Sequence, residues 1–262
     1  AFENSHQLAH SMTLVLMCVV VYVVLSRERG DKTLRTPRVV FLIAMSIMAL
    51  VLLQLSYTRT AMLGLVVFLI VYLFLTNKRW FSVVLVAGAI GVLTVVPLDV
   101  LFYDFQEAPE PVMEARGGIA SGRPAIWGNN IREFIELPID RQIAGVGIGN
   151  LDQRSFEKGE KFLDSHNDYL HVLVQTGVVG FLIFMVIQGL ILQRILRLKI
   201  SERNVFLALF AAVTFMNLAS NSYVARFGIA QMYYLLIAYV DNKRINDDIV
   251  AISESEGSKK FV

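Results

Sequence analysis

The chain has little of what a secreted module or a nucleic-acid-binding protein needs. Its 262 residues include a single cysteine, Cys18, and only 18% are charged, whereas a soluble domain carries about a quarter. One cysteine cannot form an internal disulfide, which excludes a disulfide-rich module. The low content of charged residues and the long apolar runs exclude a disordered chain and a typical nucleic-acid binder, whereas the net charge of +2 says little by itself.

The sequence also lacks the spacings that hold metals or build a hydrolase nucleophile. It contains no His-Glu-x-x-His, no cysteine pair and no carboxylate cluster on one helix face, so we expect no metal and no cofactor. No nucleophile elbow is present. The glycine-rich run Gly145–Asn150 has no surrounding βαβ unit, so we interpret it as a tight structural turn and not as a nucleotide site.

Long apolar runs are what the chain does have: 55% of its residues are hydrophobic and its mean hydropathy is +0.57. A helix crosses the bilayer core, roughly 30 Å thick, in about 20 residues. Seven apolar blocks reach or approach that length: Leu8–Leu25, Val39–Ser56, Thr60–Thr76, Phe81–Phe102, Tyr169–Leu192, Asn204–Ala219 and Phe227–Val240. None alternates like a barrel strand, so the sequence predicts an all-α, polytopic membrane protein with about seven transmembrane helices.

Lysine and arginine residues fall in every second connection between these blocks, as the positive-inside rule requires of cytoplasmic loops. The basic connections carry Arg27, Arg29, Lys32, Arg35, Arg38, Lys78, Arg79, Arg194, Arg197, Lys199, Arg203, Lys243 and Arg244. Basic residues in every second connection, together with seven spans, predict a cytoplasmic C-terminus and an external N-terminus. Because the chain begins Ala-Phe-Glu-Asn with no signal peptide, we expect an N-terminal part with an odd number of spans to precede it.

The external connection between the fourth and fifth blocks, Tyr103–Ser165, is long enough to suggest a function. It contains 11 acidic and 7 basic residues, so it is solvated. A helix is predicted within it by Ser121 and Pro124 at its start and by apolar residues at helical spacing, namely Ile126, Trp127, Ile131, Phe134 and Ile135. We expect that helix to lie on the membrane-facing side of the loop. The predicted domains are a transmembrane domain, residues 1–242 with the external loop 103–165, and a disordered cytoplasmic tail, residues 243–262.

Three polar residues at the external side have the chemistry for a reaction. His166, where the loop re-enters the membrane, can accept a proton near neutral pH. Arg59, in the turn before the third span, and Arg123, in the loop, can bind phosphate oxygens through two parallel hydrogen bonds. Simpler interpretations remain open: His166 as a helix cap or surface residue, and Arg59 as a lipid-headgroup anchor. Arg226 is a less supported candidate, and His171 is either a packing or a supporting residue.

Four motifs occur in order between Gln54 and Val240. They are Thr58-Arg59-Thr60-Ala61; Ser121-Gly122-Arg123 with Trp127; Gly145-Val146-Gly147-Ile148-Gly149; and Ser165-His166-Asn167-Asp168-Tyr169-Leu170 continuing to Gln175-Thr176-Gly177-Val178-Val179-Gly180. Together they resemble the O-antigen ligase and O-antigen polymerase (Wzy-type) superfamily, with its His-Asn-x-x-Leu and acidic-x-Gly-x-x-Gly segments. Gln175 stands where the family often has Glu, which argues against a role for an acid there.

The resemblance implies a GT-C-like glycosyltransferase of the bacterial inner membrane that needs no metal. Its donor is a glycan on undecaprenyl diphosphate at the periplasmic face. Its acceptor is a hydroxyl of lipid A-core in a ligase, of a second lipid-linked glycan in a polymerase, or of a protein in some relatives. His166 is then the expected base and Arg59 and Arg123 the expected diphosphate ligands, with Asn167, His171 and Arg226 as supporting residues.

Two other classes of function remain open at this stage. A transporter or flippase for the same lipid-linked glycan is expected to place ionisable residues at mid-membrane or to contain paired broken helices, whereas the span interiors here carry almost no charge. A purely structural subunit leaves the long loop and its His-Asn junction unexplained. The sequence does not decide between ligase, polymerase and protein transferase, and it does not indicate the glycan or the oligomeric state.

Overall fold

The computed structural model describes residues 5–28, 36–56, 58–83, 123–147, 167–220, 233–235, 237–239 and 242. Within these ranges the regular secondary structure is helical, which confirms the all-α prediction. The helices are α1 (Ser5–Glu28), α2 (Thr36–Leu55), α3 (Arg59–Thr76), α4 (Arg123–Ile135), α5 (Ile139–Ala144), α6 (Asp168–Leu196) and α7 (Ile200–Ala219). Short helical runs at residues 78–83, 233–235 and 237–239 complete the described part.

Five of these helices are long and apolar enough to cross a membrane, which makes the chain a multi-pass membrane protein. They are α1, α2, α3, α6 and α7, and they correspond to the first, second, third, fifth and sixth apolar blocks. The other two blocks, Phe81–Phe102 and Phe227–Val240, lie largely outside the described residues. The total of seven spans therefore stays a prediction, as do the N-terminal segment and the tail at residues 243–262.

α7 is the centre of the bundle and the most buried of the five long helices. α3 packs along it, and α1 and α6 also lie against it, whereas α2 packs mainly against α1. The buried core on α7 consists of Val205, Phe206, Ala208, Leu209, Ala212, Val213 and Met216. The uncovered face of α2 carries exposed apolar side chains, among them Phe41, Ile47 and Val51. An apolar exposed face of this kind suits contact with lipid.

Two side-chain contacts show which helix ends meet. Thr13 Oγ1 donates a hydrogen bond to the Ala61 carbonyl at 3.1 Å, which joins α1 to the start of α3. His10 Nε2 lies 3.3 Å from Ser220 Oγ, which joins the start of α1 to the end of α7. These ends form one end of the bundle, and since α3 begins there at Arg59, it is termed the Arg59 end.

The opposite end collects basic residues. There Asn204 Nδ2 donates to the Leu75 carbonyl at 3.2 Å, joining the start of α7 to the end of α3. The short connection between α6 and α7, residues 197–199, lies at the same end. The basic residues at these helix ends are Arg27, Arg38, Lys78, Arg79, Arg194, Arg197, Lys199 and Arg203. A cluster of this kind is typical of a cytoplasmic membrane face.

Candidate functional site

α6 is two helices joined at a sharp break. Gly177 has φ 67° and ψ −172°, a conformation that glycine adopts at little cost because it has no Cβ. The ring centroids of Tyr169 and Phe184 are 5.7 Å apart. In a continuous helix, residues fifteen positions apart would be separated by about 22 Å along the axis. The piece before Gly177, residues 168–176, therefore folds back against the piece after it, and is termed the half-helix.

The start of the half-helix lies inside the bundle and not at its rim. Residues 178–196 run antiparallel to α7, which puts Gly177 at the Arg59 end. Phe184 comes seven residues after Gly177, about 10 Å further along the helix axis. Tyr169 packs on Phe184 and is hydrogen-bonded to Thr214 of α7, so it lies at a similar depth. The chain therefore ascends from Tyr169 to Gly177 and then turns back into the bundle.

The predicted span Tyr169–Leu192 is helical, but the apolar run did not reveal this break. A glycine inside a long apolar block is common in membrane helices, so Gly177 alone did not distinguish a turn from a continuous span. The available signal was the spacing of Gly177 and Gly180 in a segment that otherwise reads as uninterrupted helix.

Asn167 caps the half-helix at its buried end. Its Oδ1 accepts hydrogen bonds from the backbone N–H groups of Tyr169 at 3.0 Å and Leu170 at 3.2 Å, and the residue is only 4% exposed. These bonds satisfy N–H groups that have no partner within a helix. His166 itself lies outside the described residues, so its position stays a prediction. The sequence left open that His166 caps this helix, and in the structure Asn167 makes the capping hydrogen bonds.

Asp168 is a candidate functional residue that the sequence analysis did not single out. It is the first residue of the half-helix and is 0% exposed. An acidic side chain is a favoured residue type in the first turn of a helix, because the backbone dipoles there are positive. His171 is half-buried and follows three positions later, on the same helix face as Asp168. A charged residue directly beside the His-Asn pair was the signal available in the sequence.

The glycine-rich loop binds the other end of the half-helix. The backbone N–H of Val146 donates to the Val174 carbonyl and that of Gly147 to the Gln175 carbonyl, each at 3.0 Å. The last carbonyls of a helix have no hydrogen-bond donor within the helix, and the N–H groups of this loop serve as their donors. Residues 145–147 therefore make a backbone contact with the half-helix. Residues 148–150 lie outside the described part, so the interpretation of the whole run as a structural turn stays a prediction. Gln175 uses its backbone carbonyl here, a role that does not depend on an acidic side chain.

Two glycines make this contact possible, and together they are termed the glycine interlock. A Cβ on Gly145 would overlap the Gln175 carbonyl, and a Cβ on Gly177 would overlap the Ile143 carbonyl. Both residues also have positive φ, 83° and 67°, which side-chain-bearing residues rarely adopt. Gly180 is close-packed for a different reason, since a Cβ there would overlap the Thr176 side chain.

The predicted helix of the external loop is present as α4, which contacts α6. Ile126 and Phe134 are buried, whereas Ile131 is 45% and Ile135 65% exposed. The apolar residues predicted to share one membrane-facing side are therefore divided between an inner and an outer face. Arg123 is the first residue of α4, but its side chain lies outside the described part.

Arg59 is exposed at the start of α3, between two buried threonines, Thr58 and Thr60. The hydroxyl groups of the preceding turn make hydrogen bonds within that turn. Ser56 Oγ donates to the Leu53 carbonyl at 2.6 Å, and Thr58 Oγ1 donates to the Ser56 carbonyl at 3.3 Å. The Thr58 side chain makes no capping bond to α3. The local fold therefore leaves a guanidinium at a helix N-terminus, where positive backbone dipoles favour an anion.

Arg59 and Gly177 lie at the same end of the bundle, whereas Asn167 lies deeper, at the other end of the half-helix, with His171 between Asn167 and Gly177. The approach of His166 and the Arg123 side chain to Arg59 stays a prediction, and Arg226 also lies outside the described residues. Within the described ranges, no group of three His, Cys, Asp or Glu residues is arranged to hold a metal ion.

A family model described as O-antigen ligase matches residues 43–185, more than half of the chain. The match extends from α2 through α3, α4 and α5 to the part of α6 that follows the break. It includes Arg59, Arg123, His166 and both glycines of the interlock. No curated protein matches the chain.

Proposed function

The chain belongs to the O-antigen ligase family, and on that premise we propose that it transfers a glycan from undecaprenyl diphosphate to an acceptor sugar hydroxyl at the periplasmic face of the bacterial inner membrane. The observation that carries this proposal is that Arg59 lies exposed at the start of α3, at the same end of the bundle as Gly177, while Asn167 caps the buried end of the half-helix directly after His166. The acceptor is lipid A-core or a second lipid-linked glycan.

The transfer is a displacement at the anomeric carbon of the donor sugar. His166 takes the proton from the acceptor hydroxyl as that oxygen bonds to the anomeric carbon. The bond from the anomeric carbon to the diphosphate oxygen breaks, and its electron pair leaves with undecaprenyl diphosphate. Arg59 and Arg123 stabilise the negative charge that develops on the leaving group, so the reaction needs no metal ion.

The local structure at Arg59 supports its role toward the diphosphate. The side chain is exposed, and the turn that presents it is held by its own hydrogen bonds. Guanidinium binds two phosphate oxygens in a fixed geometry, and the N-terminus of α3 adds positive backbone dipoles. A diphosphate at the surface of the bilayer can reach this position while its polyprenyl chain stays in lipid.

The half-helix supports the role of the His-Asn junction. Its buried start fixes the backbone directly after His166 through the hydrogen bonds of the Asn167 side chain. A base held by a capped helix loses less entropy on reaching the reactive geometry than one on a loose loop. His171 and Arg226 remain supporting residues in this proposal.

The proposed arrangement in the membrane puts the Arg59 end in the periplasm and the C-terminus in the cytoplasm. The basic residues at the opposite end support this orientation. Residues 1–242 then form the transmembrane domain with its periplasmic loop 103–165, and residues 243–262 a disordered cytoplasmic tail.

A flippase for the same lipid-linked glycan is the second candidate, and the break at Gly177 is the observation in its favour. Transporters often build their substrate sites from helices interrupted in the membrane. Among the five spans that the structure describes, however, α6 alone is interrupted, whereas transporter sites are typically built from paired broken helices.

The test uses the full-length protein, purified, reconstituted and supplied with undecaprenyl-diphosphate-linked glycan in the presence of a chelator. We expect transfer without metal or nucleotide. A product that requires lipid A-core identifies a ligase, and longer lipid-linked chains formed without it identify a polymerase. Movement of the donor between leaflets with no transfer, beside an active control enzyme on the same donor, would establish the flippase instead.

A further inference from the structure

We propose that Gly145 and Gly177 are positioning residues, and that their interlock fixes the position of the His-Asn end of the half-helix. This inference rests on the proposed function, because that position matters for the reaction only if that end carries the base. The interlock is the contact between the external loop and the half-helix at its Gly177 end, whereas the base is at the other end.

The contact is made by backbone on both sides. The N–H groups of Val146 and Gly147 donate to the carbonyls of Val174 and Gln175, the last turn of the half-helix. The carbonyl of Ile143 lies against Gly177, and the carbonyl of Gln175 lies against Gly145. Backbone groups cannot change rotamer to make room, so a Cβ on either glycine would push the loop and the half-helix apart.

The half-helix acts as a lever about Gly177. Its nine residues span about 13 Å, so a rotation of about 10° at Gly177 moves the far end by roughly 2 Å. A misplacement of about 1 Å in a catalytic geometry can cost on the order of a hundredfold in rate. A small loss of fit at the interlock is therefore amplified where the reaction takes place.

The chain supplies matched controls for this proposal. Gly189, later in α6, and Gly128, in α4, have no atom within 4 Å of an added Cβ. Gly177→Ala and Gly145→Ala therefore disturb the interlock, while Gly189→Ala and Gly128→Ala make the same chemical change in open space. Alanine also has a higher helix propensity than glycine, so the two control changes favour their helices.

Three measurements on the reconstituted full-length protein test the proposal. For Gly177→Ala and Gly145→Ala, we expect kcat for glycan transfer to fall at least about thirtyfold with the donor KM within about threefold, since binding groups such as Arg59 are untouched. Hydrogen exchange at the Val146 and Gly147 amides should accelerate by about tenfold or more. The control variants should retain wild-type kinetics and protection.

A positional readout makes the result independent of catalysis. In a Cys18→Ser background, maleimide labelling of Leu170→Cys should change by about fivefold or more when Gly177→Ala is added and by less than twofold with Gly189→Ala. If the wild-type protein transfers no glycan, the proposed function fails, and this labelling still decides whether the interlock sets the position of the half-helix. Unchanged labelling, or full kcat in Gly177→Ala with amide protection lost, would overturn the proposal.

Discussion

At the residue scale, Arg59 shows how a local turn can present one charge and bury its neighbours. Thr58 and Thr60 lie inside the bundle, and the hydroxyls of Ser56 and Thr58 bond to nearby carbonyls. The guanidinium is left exposed at the start of α3. Its effect on transfer should therefore be separable from its effect on folding.

Arg59→Ala should reduce transfer by a hundredfold or more, on the order of 3 kcal/mol, because a charge that stabilises the leaving diphosphate is lost. Arg59→Lys should recover only part of the rate, since an ammonium keeps the charge without the two-pronged geometry. Initial rates in proteoliposomes measure both effects. Arg132→Ala, which removes an exposed arginine of α4, is the control and should be close to wild type. Equal losses in both alanine variants would contradict a specific role for Arg59.

His166→Ala should abolish transfer while the protein still inserts and purifies normally, because the proposed base is lost but the Asn167 cap remains. The matched variant Asn167→Ala should instead lower stability by about 1 kcal/mol through loss of the cap. Product formation and thermal unfolding in detergent, measured on both variants, separate the two roles. Wild-type product from His166→Ala would show that another group acts as the base.

At the element scale, the contact between α3 and α7 depends on a small residue. A Cβ on Gly64 would come within 2.6 Å of Met216 Cγ and Sδ, so the two helices approach closely at this point. Small residues at helix contacts allow close packing, which is a main source of helix association in membranes. Met216 is flexible, so the overlap can be relieved in part by a change of rotamer.

A double-mutant cycle measures this packing. Gly64→Ala should destabilise the protein by about 1–3 kcal/mol through overpacking. Met216→Ala removes the side chain that an alanine at position 64 would meet, so the double variant should be less destabilised than the sum of the two single changes. Unfolding in detergent gives each free energy, and Gly189→Ala is the control because its surroundings are open. An additive result would show that the two residues do not compete for space.

The long helices were predictable from the sequence and the half-helix was not, for a physical reason. Five apolar blocks appear as helices because apolar length is a property of the local chain. The fold-back at Gly177 depends instead on partners at Val146 and Gly147, about thirty positions earlier, and on the packing of Tyr169 against Phe184. The burial of Asp168 likewise depends on how the half-helix packs in the bundle, which its sequence neighbours do not indicate.

At the scale of the whole molecule, the described helices give the bundle two chemically different ends. One carries Arg59, the half-helix and the α4–α5 segment, and the other carries the basic connection residues. Alternation of Lys and Arg along the sequence was enough to predict this division, because it follows from the order of the spans. The relative positions of His166, Arg59 and Arg123 were not predictable in this way, because they depend on how distant segments pack together.

Single-cysteine labelling tests the orientation directly. In a Cys18→Ser background, Asn129→Cys on α4 should react with a membrane-impermeant maleimide added to intact spheroplasts, since that exposed position is on the proposed periplasmic face. Lys78→Cys, exposed after α3, should react only after the membrane is opened. The reverse pattern would place the proposed reaction on the wrong side of the membrane.

The fold-back of the half-helix also gives the described bundle an unequal cross-section across the bilayer. On the Arg59 side the chain passes through the same depth twice, as residues 168–176 and again after Gly177, whereas on the opposite side α6 passes once. At the depth of residues 168–176 the described part of the bundle therefore contains one more helical segment, about 10 Å across, than it does toward the opposite end.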